Sequence, residues 1–201
     1  MKTIYLIRHG ESNHNNKNNL LSGISDVKLS EKGKHDCKVL SRKLKDIGID
    51  QVFTSPLYRA VETTKIIFPN RKFTEVLSLI ELNYGDYEGF DQINNQDDEI
   101  IKEWNNTPGE MKFPQGDKIK KHADKVYNGL LDIIHKCDKD SIACISHKST
   151  IRLIIAKILK LNLNNFRRLP CDNCSISILE FSSDNLKIKS VNNNIDYSLG
   201  N

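Results

Sequence analysis

The 201-residue chain has no long apolar run, no dominant charge sign and no even set of cysteines. Each absence removes a class of protein. The longest apolar stretch, IRLIIAKILKL, is interrupted by Lys157 and Lys160 and is too short to cross a bilayer. Lys and Arg number 30 against 26 Asp and Glu, a net charge of +4 with both signs scattered, which argues for a solvated surface over a nucleic-acid footprint. The mild positive balance suits an anionic ligand. Five cysteines at irregular spacings argue against a disulfide framework. Cys171 and Cys174 form a CxxC, but no second pair or flanking His completes a zinc site, and the motif follows Pro170 instead of opening a helix. A packing role is expected there. The opening MKTIYLIRHG has no small-residue cleavage site and carries Arg8 too early for a secretory leader. The expectation is therefore a cytoplasmic protein with one domain over residues 1–201, without internal repeats or a linker.

What the chain does contain is an alternation of strand-like and helix-like segments. Strands are expected at 3–7, 51–54, 73–77, 141–145, 175–181 and 186–191, where short apolar or β-branched runs are bounded by turn residues. Cys37, Leu40, Leu44 and Ile47 recur at helical spacing, with Ser30 as N-cap and Gly48 as the stop. Ile119, Ala123, Val126, Leu130 and Ile134 make a second apolar stripe, and Ile151, Ile154, Ile155, Ile158 and Leu159 a third. This pattern predicts an α/β fold, a three-layer sandwich in which a mostly parallel mixed sheet is flanked by helices. Residues 83–117 are rich in Asn, Asp, Gly and Pro, with a short helix expected near Ile100 to Trp104, and read as an excursion over one face of the sheet.

Three of the predicted strands end in residues that carry chemistry. In such sheets ligands gather beyond the carboxyl ends of the strands, where loops converge and helix N-termini offer free N–H groups. The first strand ends in Arg8, His9, Gly10 and Glu11; the fourth ends in Ser146 and His147, followed by Lys148. The second runs into Ser55, Pro56, Leu57, Tyr58 and Arg59, read as an N-cap, a first-turn Pro and an Arg in the first turn of a helix. A helical side chain leans toward its own N-terminus, so Arg59 can reach the same rim. Two Arg and two His brought together repel one another unless an anion lies among them. A phosphoryl group fits, because each guanidinium offers paired donors and a neutral imidazole can accept the phosphoryl group covalently. An acid for the leaving oxygen is supplied by Glu81 in LIELNYGDYEG, with Glu88 as the alternative. His14, His35, His122 and His135 have no such placement and are read as surface or helix residues; Trp104 is read as a packing anchor.

These residues fall in blocks, RHGESNHN (8–15), SGISDVKLSEKG (22–33), SPLYRAVETT (55–64), IELNYGDYEG (80–89) and SHKSTIR (146–152), whose order and spacing resemble the histidine phosphatase superfamily, the phosphoglycerate mutase-like group. The resemblance covers nearly the whole chain. It implies that His9 becomes a phosphohistidine, that Arg8, Arg59 and His147 hold the phosphoryl group, and that Glu81 is the proton donor. It also implies that Asn15, Ser22, Gly23 and Lys148 contact the substrate, that neither metal nor cofactor is needed, and that residues 83–117 form a partial lid. The implied partner is a small phosphorylated molecule, with no nucleic acid or membrane involved. Two departures stand out: Lys148 replaces the Gly that often follows the second His, and FPQGDKI places Asp117 and Lys118 where many members read Glu-Ser. Short members of this kind are mostly phosphatases, so the expected activity is phosphomonoester hydrolysis. Phosphoglycerate mutase-type transfer and non-catalytic phospholigand sensing are the alternatives.

Overall fold

The computed structural model describes residues 1–16 and 20–194. Six strands, β1 (Lys2–Arg8), β2 (Gln51–Thr54), β3 (Thr74–Glu75), β4 (Ser141–Ser146), β5 (Ile176–Ser182) and β6 (Asn185–Asn193), form one sheet in the order β3-β2-β4-β1-β5-β6. Strands β3, β2, β4 and β1 run parallel, and β5 and β6 join antiparallel at one side. After a single turn, α1 (Asn13–Asn16), come the helices α2 (Glu31–Leu44), α3 (Tyr58–Ile67), α4 (Glu99–Asn106), α5 (Ile119–Lys136) and α6 (Lys148–Ile158). None is long and apolar enough to cross a membrane.

The three layers follow from the two-residue alternation of a strand. In β1, Ile4 and Leu6 pack against α5 and α6, whereas Ile7 packs with Leu40 and Leu44 of α2 and Ala60 of α3. In β4, Ile142 and Cys144 face the first cluster, Ala143 and Ile145 the second. Both faces are covered, so these central strands read as continuous apolar runs instead of a polar alternation. The excursion carries its own aromatic packing: Trp104 of α4 meets Tyr84, Phe113 and Phe166 edge-on, at ring separations of 5.8, 5.2 and 5.7 Å. This is the packing role expected for Trp104.

The element boundaries differ from expectation in physically instructive places. Ser30 caps α2, its Oγ accepting from Gly33 N at 3.0 Å, but the helix closes at Leu44, ahead of Gly48. Helix α3 begins at Tyr58, with Leu57 in the N-cap position and no side-chain cap. Ser55 is therefore not the cap and Pro56 is not the first helical residue. β3 is reduced to two exposed residues at the sheet edge, where only β2 pairs with it. His122 is a helix residue, as read, and its side chain is buried within α5.

Candidate active site

Parallel pairing sets the strand ends level with one another. Arg8 lies opposite Ser146 and Thr54 opposite Ile145; the ladder then runs one residue further, His9 N donating to Ser146 O at 3.0 Å and Ser55 N to Ile145 O at 2.9 Å. His9 and His147 consequently face each other with ring centroids 5.1 Å apart. The loop that carries His9 is packed against α2 with no room to spare. A Cβ on Gly10 would sit 2.6 Å from Cys37 Sγ and 2.9 Å from Gly33 O, so a side chain there would push this loop off the helix.

His9 Nδ1 lies 2.7 Å from Gly10 O. A carbonyl only accepts, so Nδ1 carries the proton and Nε2 keeps its lone pair. Burial, reinforced by Arg59 and Arg8, holds the His9 pKa well below its ordinary value, and the ring is neutral at pH 7. His147 is likewise pushed well down, by burial and then by Arg59, His9 and Arg8. Its Nε2 is 2.7 Å from Ser55 Oγ, which is what Ser55 does in place of capping α3.

The two arginines are held by backbone carbonyls. Arg8 Nη1 donates to Cys171 O at 2.7 Å, which gives the CxxC segment its part in the site. Cys171 and Cys174 pack on opposite faces of the sheet as free, buried thiols. Arg59 is fully buried; its Nη1 donates to Ser25 O and its Nη2 to Ser22 O and Gly23 O. Two buried N–H donors at this rim, Arg8 Nε and Arg59 Nε, have no partner among the described residues, and neither has the ring nitrogen His147 Nδ1. Buried N–H groups are nearly always paired, so two orphaned guanidinium donors at one rim mark a place built for an acceptor.

Glu81 closes the site. It follows a short 3-10 turn (Leu77–Leu79) tied to β4 by the Ser146 Oγ–Leu79 O bond, and its carboxylate accepts from Ser149 N, Thr150 N and Leu82 N at 2.9–3.1 Å. Thr150 Oγ1 adds a contact at 3.2 Å and is itself 3.3 Å from His122 Nε2, whose Nδ1 lies 3.2 Å from Asp117 Oδ2. Asp117 also accepts from Asn83 N, so the departure from Glu-Ser at 117–118 fastens the end of the excursion beside Glu81.

A pocket of about 70 Å³ opens onto these groups, lined by Arg8, His9, Asn15, Ser22, Glu81 and Lys148 among others. Arg59 and His147 lie behind it, fully buried. Gly23 is not in the lining: its N–H is held by Glu88 and its carbonyl by Arg59. Glu88 is also outside the pocket. Its carboxylate accepts from Gly23 N, Ile24 N, Ser25 N, Ser25 Oγ and Tyr84 N, which makes it the anchor of the 22–25 loop and removes it as the alternative acid. Sequence reasoning did not anticipate Ser55 as a histidine partner, the buried His122, or Arg152 and Arg167 in the pocket wall. For Arg152 a signal existed, since it stands four residues after Lys148 on the same helical face. A larger groove of about 500 Å³ beside Phe53, Val76 and Gly129 contains none of these residues. Among the described residues no cluster of three or more His, Cys, Asp or Glu side chains could hold a metal.

Two His, two Arg and a carboxylate thus lie together at the carboxyl edge of the parallel strands of a six-stranded mixed sheet. The family model of the histidine phosphatase superfamily (branch 1) matches residues 4–194, and the chain belongs to that superfamily. Phosphoserine phosphatase 1 of Hydrogenobacter thermophilus is 26% identical over 89% of this chain and 86% of its own length. The "Probable phosphoglycerate mutase GpmB" of Erwinia tasmaniensis is 30% identical over 88% and 84%. Among solved structures, phosphoserine phosphatase of Entamoeba histolytica in complex with 3-phosphoglyceric acid superposes with a TM-score of 0.84 at 25% identity, covering 96% of this chain and 98% of the other. The three-layer, phosphoglycerate mutase-like fold expected from the sequence is the one observed.

Proposed function

We propose that the protein is a phosphomonoesterase that hydrolyses small phosphorylated metabolites through a covalent phosphohistidine on His9, without metal or cofactor. The reading rests on one observation above the others: a neutral His9 with Nδ1–H tied to Gly10 O, its Nε2 lone pair free, beside the unpartnered Arg8 Nε, Arg59 Nε and His147 Nδ1. In the first step Nε2 attacks phosphorus as the bond to the alcohol oxygen breaks, and Glu81 protonates that oxygen. In the second step the Glu81 carboxylate takes a proton from water, which displaces His9 from phosphorus and releases inorganic phosphate. Arg8, Arg59 and His147 stabilise the charge on the transferring oxygens in both steps.

Asn15, Ser22 and Lys148 contact the substrate, Gly23 acts through Arg59, and residues 83–117 serve as a partial lid over a single domain in a cytoplasmic enzyme. Phosphoserine, and the 3-phosphoglyceric acid bound in the phosphoserine phosphatase of Entamoeba histolytica, are the first substrates to try. The similarity to a GpmB protein favours phosphoryl return to a hydroxyl as the second reading. Rapid quenching into alkali with labelled phosphoserine should trap an alkali-stable, acid-labile phosphoenzyme. His9→Ala should remove both the label and turnover, and excess chelator should change neither. Chelator-sensitive turnover, or turnover surviving in H9A, refutes the mechanism; isomerised rather than dephosphorylated 3-phosphoglycerate supports the mutase.

A further inference from the structure

We infer that Lys148, Arg152 and Arg167 form a second oxyanion site in the same pocket, so that the preferred substrate is a small phosphomonoester bearing a further anionic group, a carboxylate or a second phosphate. The inference rests on the phosphatase reading above for the place of the first anion. All three side chains line the pocket that holds Arg8 and His9. Lys148 opens α6 directly after His147, and Arg152 stands one turn further on the same face. Arg167 arrives from the 3-10 turn Leu163–Arg168 and is fixed in place: its guanidinium lies 4.4 Å over the Trp104 ring and donates to Trp104 O and Asn105 Oδ1.

None of the three forms an ion pair with a carboxylate among the described residues, although other lysines of the chain do, such as Lys157 with Asp124 at 2.7 Å. They are half-buried rather than solvated. Arg152 Nε and the indole Nε1 of Trp104, which also lines the pocket, are buried donors without a partner. The cost of gathering these cations is visible in Lys148, whose pKa is lowered to about 8 by burial and then by Arg8 and Arg152. Charge arithmetic separates them from the first site. A phosphoryl dianion is matched by Arg8 and Arg59, and Glu81, the one carboxylate in the lining among the described residues, already accepts from the first turn of α6. Three cations and two orphan donors therefore remain for another anion.

The test compares kcat/KM within pairs that differ by one anionic group: phosphoserine against phosphoethanolamine, and propane-1,3-diol bisphosphate against propyl phosphate. The wild-type enzyme should favour the anion-bearing member of at least one pair by tenfold or more, and the pair that responds identifies carboxylate or phosphate as the group. That ratio should fall severalfold in R152Q and in K148M, while melting temperatures confirm that both variants are folded. Ratios near unity in both pairs, on esters that are all turned over, overturn the second site and leave the phosphatase reading intact. Calorimetric titration of H9A with the same pairs reads the site without turnover. An anion-dependent affinity in H9A, together with an inactive wild type, would fault the phosphatase reading and support the second site; equal affinities would overturn it.

Discussion

Replacing Glu88 by Gln separates a structural carboxylate from a chemical one. Five donors converge on its two oxygens: Gly23 N, Ser25 N and Ser25 Oγ on Oε2, and Ile24 N and Tyr84 N on Oε1. An amide in the same place turns an NH2 group toward two or three of them, whichever way it is oriented. At roughly 1 kcal/mol for each lost bond, with half-burial letting water recover part, the variant should be about 2–3 kcal/mol less stable. For a chain of this length that corresponds to a melting temperature lower by about 4–12 °C. The same change loosens Ser22, Gly23 and Ser25, whose carbonyls hold the Arg59 guanidinium, so kcat/KM should fall by roughly tenfold. Thermal melts and turnover of an aryl phosphate measure both. Glu81→Gln is the counterpart: it should lower kcat far more, because its carboxyl faces the pocket. If E88Q melted with the wild type yet lost activity as completely as E81Q, with the alkaline limb of its pH profile gone, Glu88 would be the acid and this account of the site would be wrong.

Other outcomes follow from the same geometry. Ser55→Ala leaves the buried His147 Nε2 without its 2.7 Å partner and should cost about 1–2 kcal/mol in denaturant unfolding together with a lower kcat. Thr150→Val keeps the shape but removes the hydroxyl that donates to Ile80 O at 2.6 Å and touches Glu81; a modest stability loss of about 1 kcal/mol with a larger fractional loss of kcat is expected. Gly10→Ala drives a Cβ into Cys37 Sγ and Gly33 O, and should reduce both stability and His9 labelling. His9 and His147 both have pKa values depressed in the folded state, so their contribution to stability is complete above about pH 6.5, the unfolded value, and is lost as pH falls from there toward the folded values. A stability-pH curve that stayed flat below pH 6 after allowance for carboxylates, or steepened equally in H9A, would contradict this. The acid limb of kcat/KM set by His9 should lie below pH 6.5 for the same reason.

Much of this arrangement was legible in the chain because local chemistry marks it. The apolar run of β1 stops at Arg8 and that of β4 at Ser146, and Ser30 announces the start of α2. Parallel strands with helices between them can bring such endings together in only one way, at the carboxyl edge of the sheet. The errors cluster where a side chain finds a distant partner that outweighs its local tendency. Ser55 is an ordinary capping residue by position, yet it bonds His147, 92 residues away. His122 reads as a helix residue and is one, but its burial between Asp117 and Thr150 is set by those partners. Glu88 resembles Glu81 as a carboxylate beside a turn, and only the fold of residues 22–25 around it shows that its oxygens are already occupied.

By itself, then, the sequence determined which residues stand at the strand ends and that His, Arg and carboxylate would be available there, because strand length and helix phase are set by neighbours in the chain. The tertiary structure alone decided the state of those groups: the tautomer of His9, the depressed affinity of both histidines for protons, and the carbonyls that hold Arg8 and Arg59. It also decided that Lys148, Arg152 and Arg167 share one wall. Proton affinity and hydrogen-bond supply depend on burial and on charges brought close from remote parts of the chain, and such quantities exist only once the sheet has aligned its strands and the helices have closed over them.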